Sequence, residues 1–124
     1  MIKKTDYKKI TKEIANLMLD KKAIDIKIID VKKITTLTDY FIVCTSDSTP
    51  QTKAIMNHIS DKIFETCNIK PLHIEGNEPL NWVLIDYVNI VVNIFDKKAR
   101  EFYNIERLWA DAKITVIKES KKQV

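Results

Sequence analysis

The chain has 124 residues, 45% of them hydrophobic and 31% charged, and carries a net charge of +4. That length supports one domain with one core, no apolar run is long enough to span a bilayer, and two cysteines are too few for a disulfide framework. A single glycine in the whole chain excludes the glycine-rich loops of ordinary nucleotide-binding sites.

The N-terminus, MIKKTDYKK, lacks the apolar stretch of a secretory signal, so a cytoplasmic protein with reduced cysteines is expected. Residues 6–22 then read as an amphipathic helix, because Tyr7, Ile10, Ile14, Leu17 and Met18 recur at three- and four-residue steps. Thr5 or Asp6 can cap its start, and Lys21 and Lys22 suit the negative end of its dipole. In IDIKIIDV, residues 24–31, Ile24, Ile26 and Ile28 alternate with Asp25 and Lys27, as in a strand with one buried face. Residues 32–39 are a polar connection. YFIVCT, residues 40–45, is apolar almost throughout, so it reads as a strand buried on both faces in the middle of a sheet.

A second helix follows, with Pro50 at its first position and Thr49 or Ser48 as cap. Ile55, Ile59, Ile63 and Cys67 line one side, and Asn68 can end it in the left-handed conformation. Residues 69–74 read as an edge strand, since Pro71 removes a ladder donor. Residues 77–81 are a loop containing Pro79. Trp82–Asp86 and Ile90–Asp96 form a hairpin around Tyr87, Val88 and Asn89. Val83 and Ile85, with Ile90, Val92 and Ile94, supply a plainly apolar face. Trp82, Leu84 and Asp86, with Val91, Asn93 and Phe95, make the opposite face mixed.

Residues 97–112 are helical by pattern, with Phe102, Ile105, Leu108, Trp109 and Ala112 along one side and a break near Tyr103. Residues 114–117 could add a short strand before a tail expected to fray. The order of elements predicts an α/β fold: a single domain over residues 1–112 with a mixed five-stranded sheet and flanking helices, then a short extension over 113–124.

Charge is unevenly spread. Residues 75–96 hold Glu75, Glu78, Asp86 and Asp96 and no Lys or Arg, a stretch of −4 in a remainder of +8. A surface of that kind repels phosphate and suits a basic protein. Trp82 within it is either packed under the last helix or an anchor at an interface, where Trp and Tyr are enriched.

Catalytic chemistry is hard to find. His58, His73, Cys44 and Cys67 have no metal-ligand spacing. Cys44 lies inside an apolar strand, where a thiol is normally inert, which weakens a Cys44–His58 nucleophile. Asp25, Asp30 and Asp39 flank the first two strands and could hold Mg²⁺ in a nucleotidyltransferase, but acids at such places more often cap turns. No metal or cofactor is expected.

Several segments are recognisable together: Asp25-Ile26 with Asp30-Val31, Thr38-Asp39-Tyr40-Phe41, Glu75-Gly76, the run from Trp82 to Tyr87, Arg100-Glu101-Phe102-Tyr103, and Ile105 to Trp109. In this order and spacing the chain resembles the ribosomal silencing factor family, also called Iojap-like proteins, from about Asp6 to Ala112. The resemblance implies a nucleotidyltransferase-like fold without the catalytic residues. It also implies a non-enzymatic function: binding the large ribosomal subunit through its ribosomal protein number fourteen and sterically blocking the small subunit, which represses translation when nutrients are short. The same family is linked with large-subunit maturation in organelles.

On that reading Leu80, Trp82, Asp86 and Tyr87 form the partner contact with Tyr103 nearby, and Lys97, Lys98 and Arg100 are candidates for peripheral rRNA contact. An open sheet edge leaves a homodimer open for the free protein. The chain departs from the family pattern at Ser46, at Pro50-Gln51, at Val88 and at Asn93. Val88 stands where the family has glycine, and the positive φ of the turn is expected to fall on Asn89 instead.

Overall fold

Alternating and helical periodicities settle into ten elements in the structure, a computed structural model that describes residues 5–76 and 80–118. They are α1 (Tyr7–Asp20), β1 (Ile24–Asp30), β2 (Tyr40–Ser46), α2 (Thr49–Cys67), β3 (His73–Glu75), β4 (Trp82–Asp86), β5 (Ile90–Asp96), α3 (Lys97–Tyr103), α4 (Ile105–Leu108) and β6 (Lys113–Ile117). The Asp6 carboxylate accepts the Lys9 N–H to start α1, and the Ser48 hydroxyl accepts the Gln51 N–H to start α2, with Pro50 one residue further in than the first helical position. Asn68 ends α2 in the left-handed conformation, with φ 57° and ψ 37°.

The sheet has six strands in the order β3-β4-β5-β2-β1-β6, not five. The sixth comes from the short strand expected over residues 114–117, in the extension beyond residue 112: Lys113–Ile117 pairs antiparallel with β1, Ile114 opposite Ile29 and Ile117 opposite Ile26. The edge of β1 would otherwise stand unpaired, so the domain runs past residue 112. Residues 119–124 and the Glu78 and Pro79 part of the loop lie outside the described residues. Only β2 and β5 are parallel, and they form the centre. β1 bulges between Ile24 and Lys27, where Asp25 has φ 52°, so Ile24 leaves the apolar row and is exposed.

Two cores lie on the two sides of this sheet. On one side α1 and α2 pack over Ile26, Ile28, Ile42, Cys44, Val83, Ile85, Val92 and Ile94. On the other, α3 and α4 cover a smaller cluster built on Ile29, Val43, Phe95 and Ala99, with Phe41, Trp82, Ile105 and Trp109 packed against it. The predicted break in the last helix is real. Asn104 takes φ 44°, so the helical phase restarts, and Phe102 (80% exposed) and Leu108 (72% exposed) face outward instead of joining Ile105 and Trp109.

Candidate docking face

The mixed face of β4 is where the candidate residues can be checked. Side chains alternate along a strand, so Trp82, Leu84 and Asp86 share one side and Val83 and Ile85 the other. The structure keeps that division: Val83 and Ile85 are fully buried under the two long helices, while the first three are only half-buried on the side of α3 and α4.

Trp82 sits at the join between sheet and α3. Its indole Nε1 donates to Asn93 Oδ1 at 3.0 Å. Its ring lies 5.1 Å from that of Phe95 and 4.4 Å from that of Tyr103, centroid to centroid. Trp82 and Tyr103 are therefore brought together, as expected of neighbours, with Trp82 braced from below and Tyr103 partly exposed.

Leu80 and Tyr87 are corrected. Both are 7% exposed and belong to the core under α1 and α2, on the other side of the sheet from Trp82. Tyr87 is out of phase with Trp82 by an odd number of residues, and Leu80 precedes the strand, so neither can join the mixed face. Burial pushes the Tyr87 hydroxyl up to about 12, and it has no hydrogen-bond partner among the described residues. Leu84 takes the place meant for Leu80. The strand alternation alone could have found it.

Asp86 ends the strand beside an open groove of about 360 Å³. Leu37 and Thr38 wall it on one side, Leu72 and Glu75 on the other, and Leu84 and Val91 form its floor. No Lys or Arg lines it among the described residues. One Asp86 oxygen accepts the Val88 N–H at 2.7 Å and the other lies 3.9 Å from His73 Nδ1, whose Nε2 is 3.0 Å from Glu75. The groove exists because α3 and α4 are short and cover only the Trp82 end of this face. Gly76 is needed nearby: at φ 153°, a Cβ would lie 2.8 Å from Val83 Cγ2.

The basic residues proposed for RNA divide. Lys97 and Lys98 are exposed. Arg100 is not free: its Nε and one terminal nitrogen grip Glu106 at 2.9 and 3.1 Å, and the other terminal nitrogen donates to Thr45 at 2.7 Å. Lys27 adds a second ion pair to Glu106 at 2.9 Å. The Arg100 and Lys27 hydrogen bonds hold the Glu106 carboxyl down at about 2, against an ordinary 4.5. This cluster clamps α3 and α4 to the sheet.

The acids considered for a metal do not converge. Asp25 and Asp30 stand at opposite ends of β1, Asp30 accepts the Lys32 N–H, and Asp39 accepts from Asn89. Among the described residues no three His, Cys, Asp or Glu side chains gather as a metal cluster. Burial pushes the Cys44 thiol up to about 12, and His58 is engaged with Asp20 at 3.0 Å.

A family model described as ribosomal silencing factor during starvation matches residues 4–124. The chain belongs to the ribosomal silencing factor family. It is 38% identical over 107 residues to the ribosomal silencing factor of Bacillus subtilis, covering 86% of this chain and 90% of that one. It is 33% identical over 105 residues to the chloroplastic Iojap protein of Arabidopsis thaliana, covering 81% of this chain and 41% of the longer relative. Among solved structures, a Chromobacterium violaceum protein superposes with a TM-score of 0.81 at 32% identity, covering 94% of this chain and 98% of that one. The family carries a regulatory function on ribosomes, not an enzymatic one. No described helix is long and apolar enough to cross a membrane.

Proposed function

We propose that this chain docks, in the cytoplasm, on the large ribosomal subunit through ribosomal protein number fourteen and blocks joining of the small subunit, repressing translation when nutrients are short. The observation that supports this reading is the half-buried strip of Trp82, Leu84 and Asp86, running from an aromatic ledge at Tyr103 to a groove with two carboxylates and no Lys or Arg among the described residues. Ribosomal proteins are mostly basic, so such a strip complements one in both charge and apolar area.

The mechanism is steric and needs no reacting group. Trp82 is already held by Asn93 and Phe95, so little side-chain freedom is lost when a partner covers it. Leu84 supplies apolar area at the centre, and Asp86 offers a charge to a Lys or Arg of the partner. The test is co-sedimentation with purified large subunits together with a subunit-joining assay. Wild-type protein should pellet with large subunits and prevent joining. Leu84→Arg puts a cation in the middle of the strip and, once circular dichroism shows it folded, should lose at least about tenfold in affinity, the size expected for a central contact. Failure of the wild-type chain to pellet would overturn the proposal. Equal binding by the variant would move the contact off this face.

A further inference from the structure

Residues 1–12 contain five lysines and one aspartate, a net +4 that equals the charge of the entire chain. Within the described residues, Lys8, Lys9 and Lys12 are all exposed on the outer side of α1. This placement opposes helix stability. Lysines near the start of a helix face the positive end of its dipole, and like charges four residues apart, as at Lys8 and Lys12, repel by a few tenths of a kcal/mol.

No ion pair offsets that cost among the described residues: none of the three makes one, whereas Lys27, Lys32 and Lys62 all do. Glu13, one turn beyond Lys9, accepts instead from the Thr66 hydroxyl at 2.7 Å. The Asp6 carboxylate caps the helix through the Lys9 N–H. Lys32 stands across an open recess from Lys8, where its Nζ donates to the Tyr40 hydroxyl at 2.6 Å, and Asp39 is the other acid there.

We infer that Lys8, Lys9 and Lys12 form a contact surface for an RNA phosphate backbone. The surface lies on the opposite side of the sheet from the protein-docking strip, since α1 packs on the Val83 and Ile85 side. Lys8 and Lys12 are one turn apart, about 6 Å along the axis, and Lys9 lies beside them. A row of that kind follows a polyanion without reading its sequence. The choice of RNA over another polyanion rests on the ribosomal reading above. The factor then grips a protein with one face and RNA with the other.

The test compares wild type, the triple variant K8Q/K9Q/K12Q and the control K113Q/K118Q, two exposed lysines at the far edge of the sheet, over a series of KCl concentrations. The probes are purified large subunits, isolated ribosomal protein number fourteen, a duplex RNA hairpin, and phosphatidylserine vesicles. The triple variant should flatten the dependence of log affinity on log salt by about 2 to 3, close to one for each phosphate that is no longer neutralised, on subunits and hairpin alike. Its binding to the isolated ribosomal protein should match wild type, and the control should keep the wild-type slope. An unchanged slope in the triple variant, or a weakening seen on vesicles alone, overturns the inference. If wild type binds neither subunits nor the isolated protein, the docking proposal fails by itself, and a hairpin effect of the three lysines still supports the RNA surface.

Discussion

The two faces of the sheet have been built to different standards. On one, helices of 14 and 19 residues close over an unbroken apolar surface, and Ile14, Ile42, Ile55, Ile59, Val83, Ile85 and Ile94 are wholly buried. On the other, helices of seven and four residues leave Trp82, Leu84 and Asp86 only half-buried, and the Arg100–Glu106–Lys27 clamp ties these helices to the sheet. β4 belongs to both, with alternate side chains in each environment. The contrast separates two tasks. The closed face carries more of the buried apolar surface, and that lets the other remain partly uncovered, as the proposed docking requires.

The largest effect should fall on the closed face. Ile59→Ala removes a fully buried side chain from the helix-covered core, and a drop of about 3 to 4 kcal/mol in urea unfolding is expected. Leu84→Ala, on the half-buried row of the same sheet, should cost less than about 1 kcal/mol while weakening large-subunit binding. Equal drops would erase the distinction between the faces.

The clamp comes next. Arg100→Met leaves Glu106 with only Lys27 and Thr45 without its donor, a change expected to cost about 3 kcal/mol. It should also loosen α3 and so the brace behind Trp82. The clamp gives the open face an acid sensitivity. The folded-state pKa of Glu106 lies near 2 and its ordinary value is 4.5. The stabilisation is therefore complete above pH 4.5 and is lost as the pH falls from 4.5 through 2. Unfolding measured across that window should show wild type losing on the order of 2 kcal/mol more than Glu106→Gln.

Much of this is legible in the chain. Repeats of three and four locate both long helices, and unbroken apolar character puts residues 40–45 at the sheet centre, although the parallel pairing with β5 is seen only in the structure. Alternation from Trp82 separates the two rows of β4 correctly. What sequence conceals are places where the phase is reset by backbone geometry. The bulge at Asp25 turns Ile24 outward, and the left-handed Asn104 turns Phe102 and Leu108 outward, so rows drawn straight through them fail. Nearness in sequence groups Leu80 and Tyr87 with Trp82, although their positions relative to the strand send them to the other core.

The departures from the family pattern also have physical answers visible only in three dimensions. Gln51 donates its side-chain amide to the Lys21 and Lys22 carbonyls beyond the end of α1 and accepts the Asp47 N–H. Ser46 bonds to Gln51 and Thr52. Asn93 supplies the acceptor for the Trp82 indole. One set orders the start of α2, and the other fixes the aromatic ledge of the docking strip.

The smallest expected effect concerns Val88, at the tip of the hairpin where the two faces meet. Side-chain preference points to Asn89 as the residue with positive φ, yet Val88 itself has φ 74°. The surrounding bonds impose it: the Tyr87 N–H donates to the Ile90 carbonyl at 2.8 Å, the Asn89 N–H to the Tyr87 carbonyl at 2.9 Å, and the Val88 N–H to Asp86 Oδ1 at 2.7 Å. A β-branched residue in that region costs about 1 kcal/mol or more. Val88→Gly keeps all three bonds and removes the strain, so stability in urea should rise by about 1 kcal/mol, less the extra freedom glycine gives the unfolded chain. Val88 touches only the rim of the groove and is half exposed, so large-subunit affinity should change by less than about threefold. A stabilised variant with intact binding would show that the strain is a cost of the turn alone. A stabilised variant that binds poorly would mean that the Val88 side chain belongs to the docking face, which would then extend past Asp86 to the end of the hairpin.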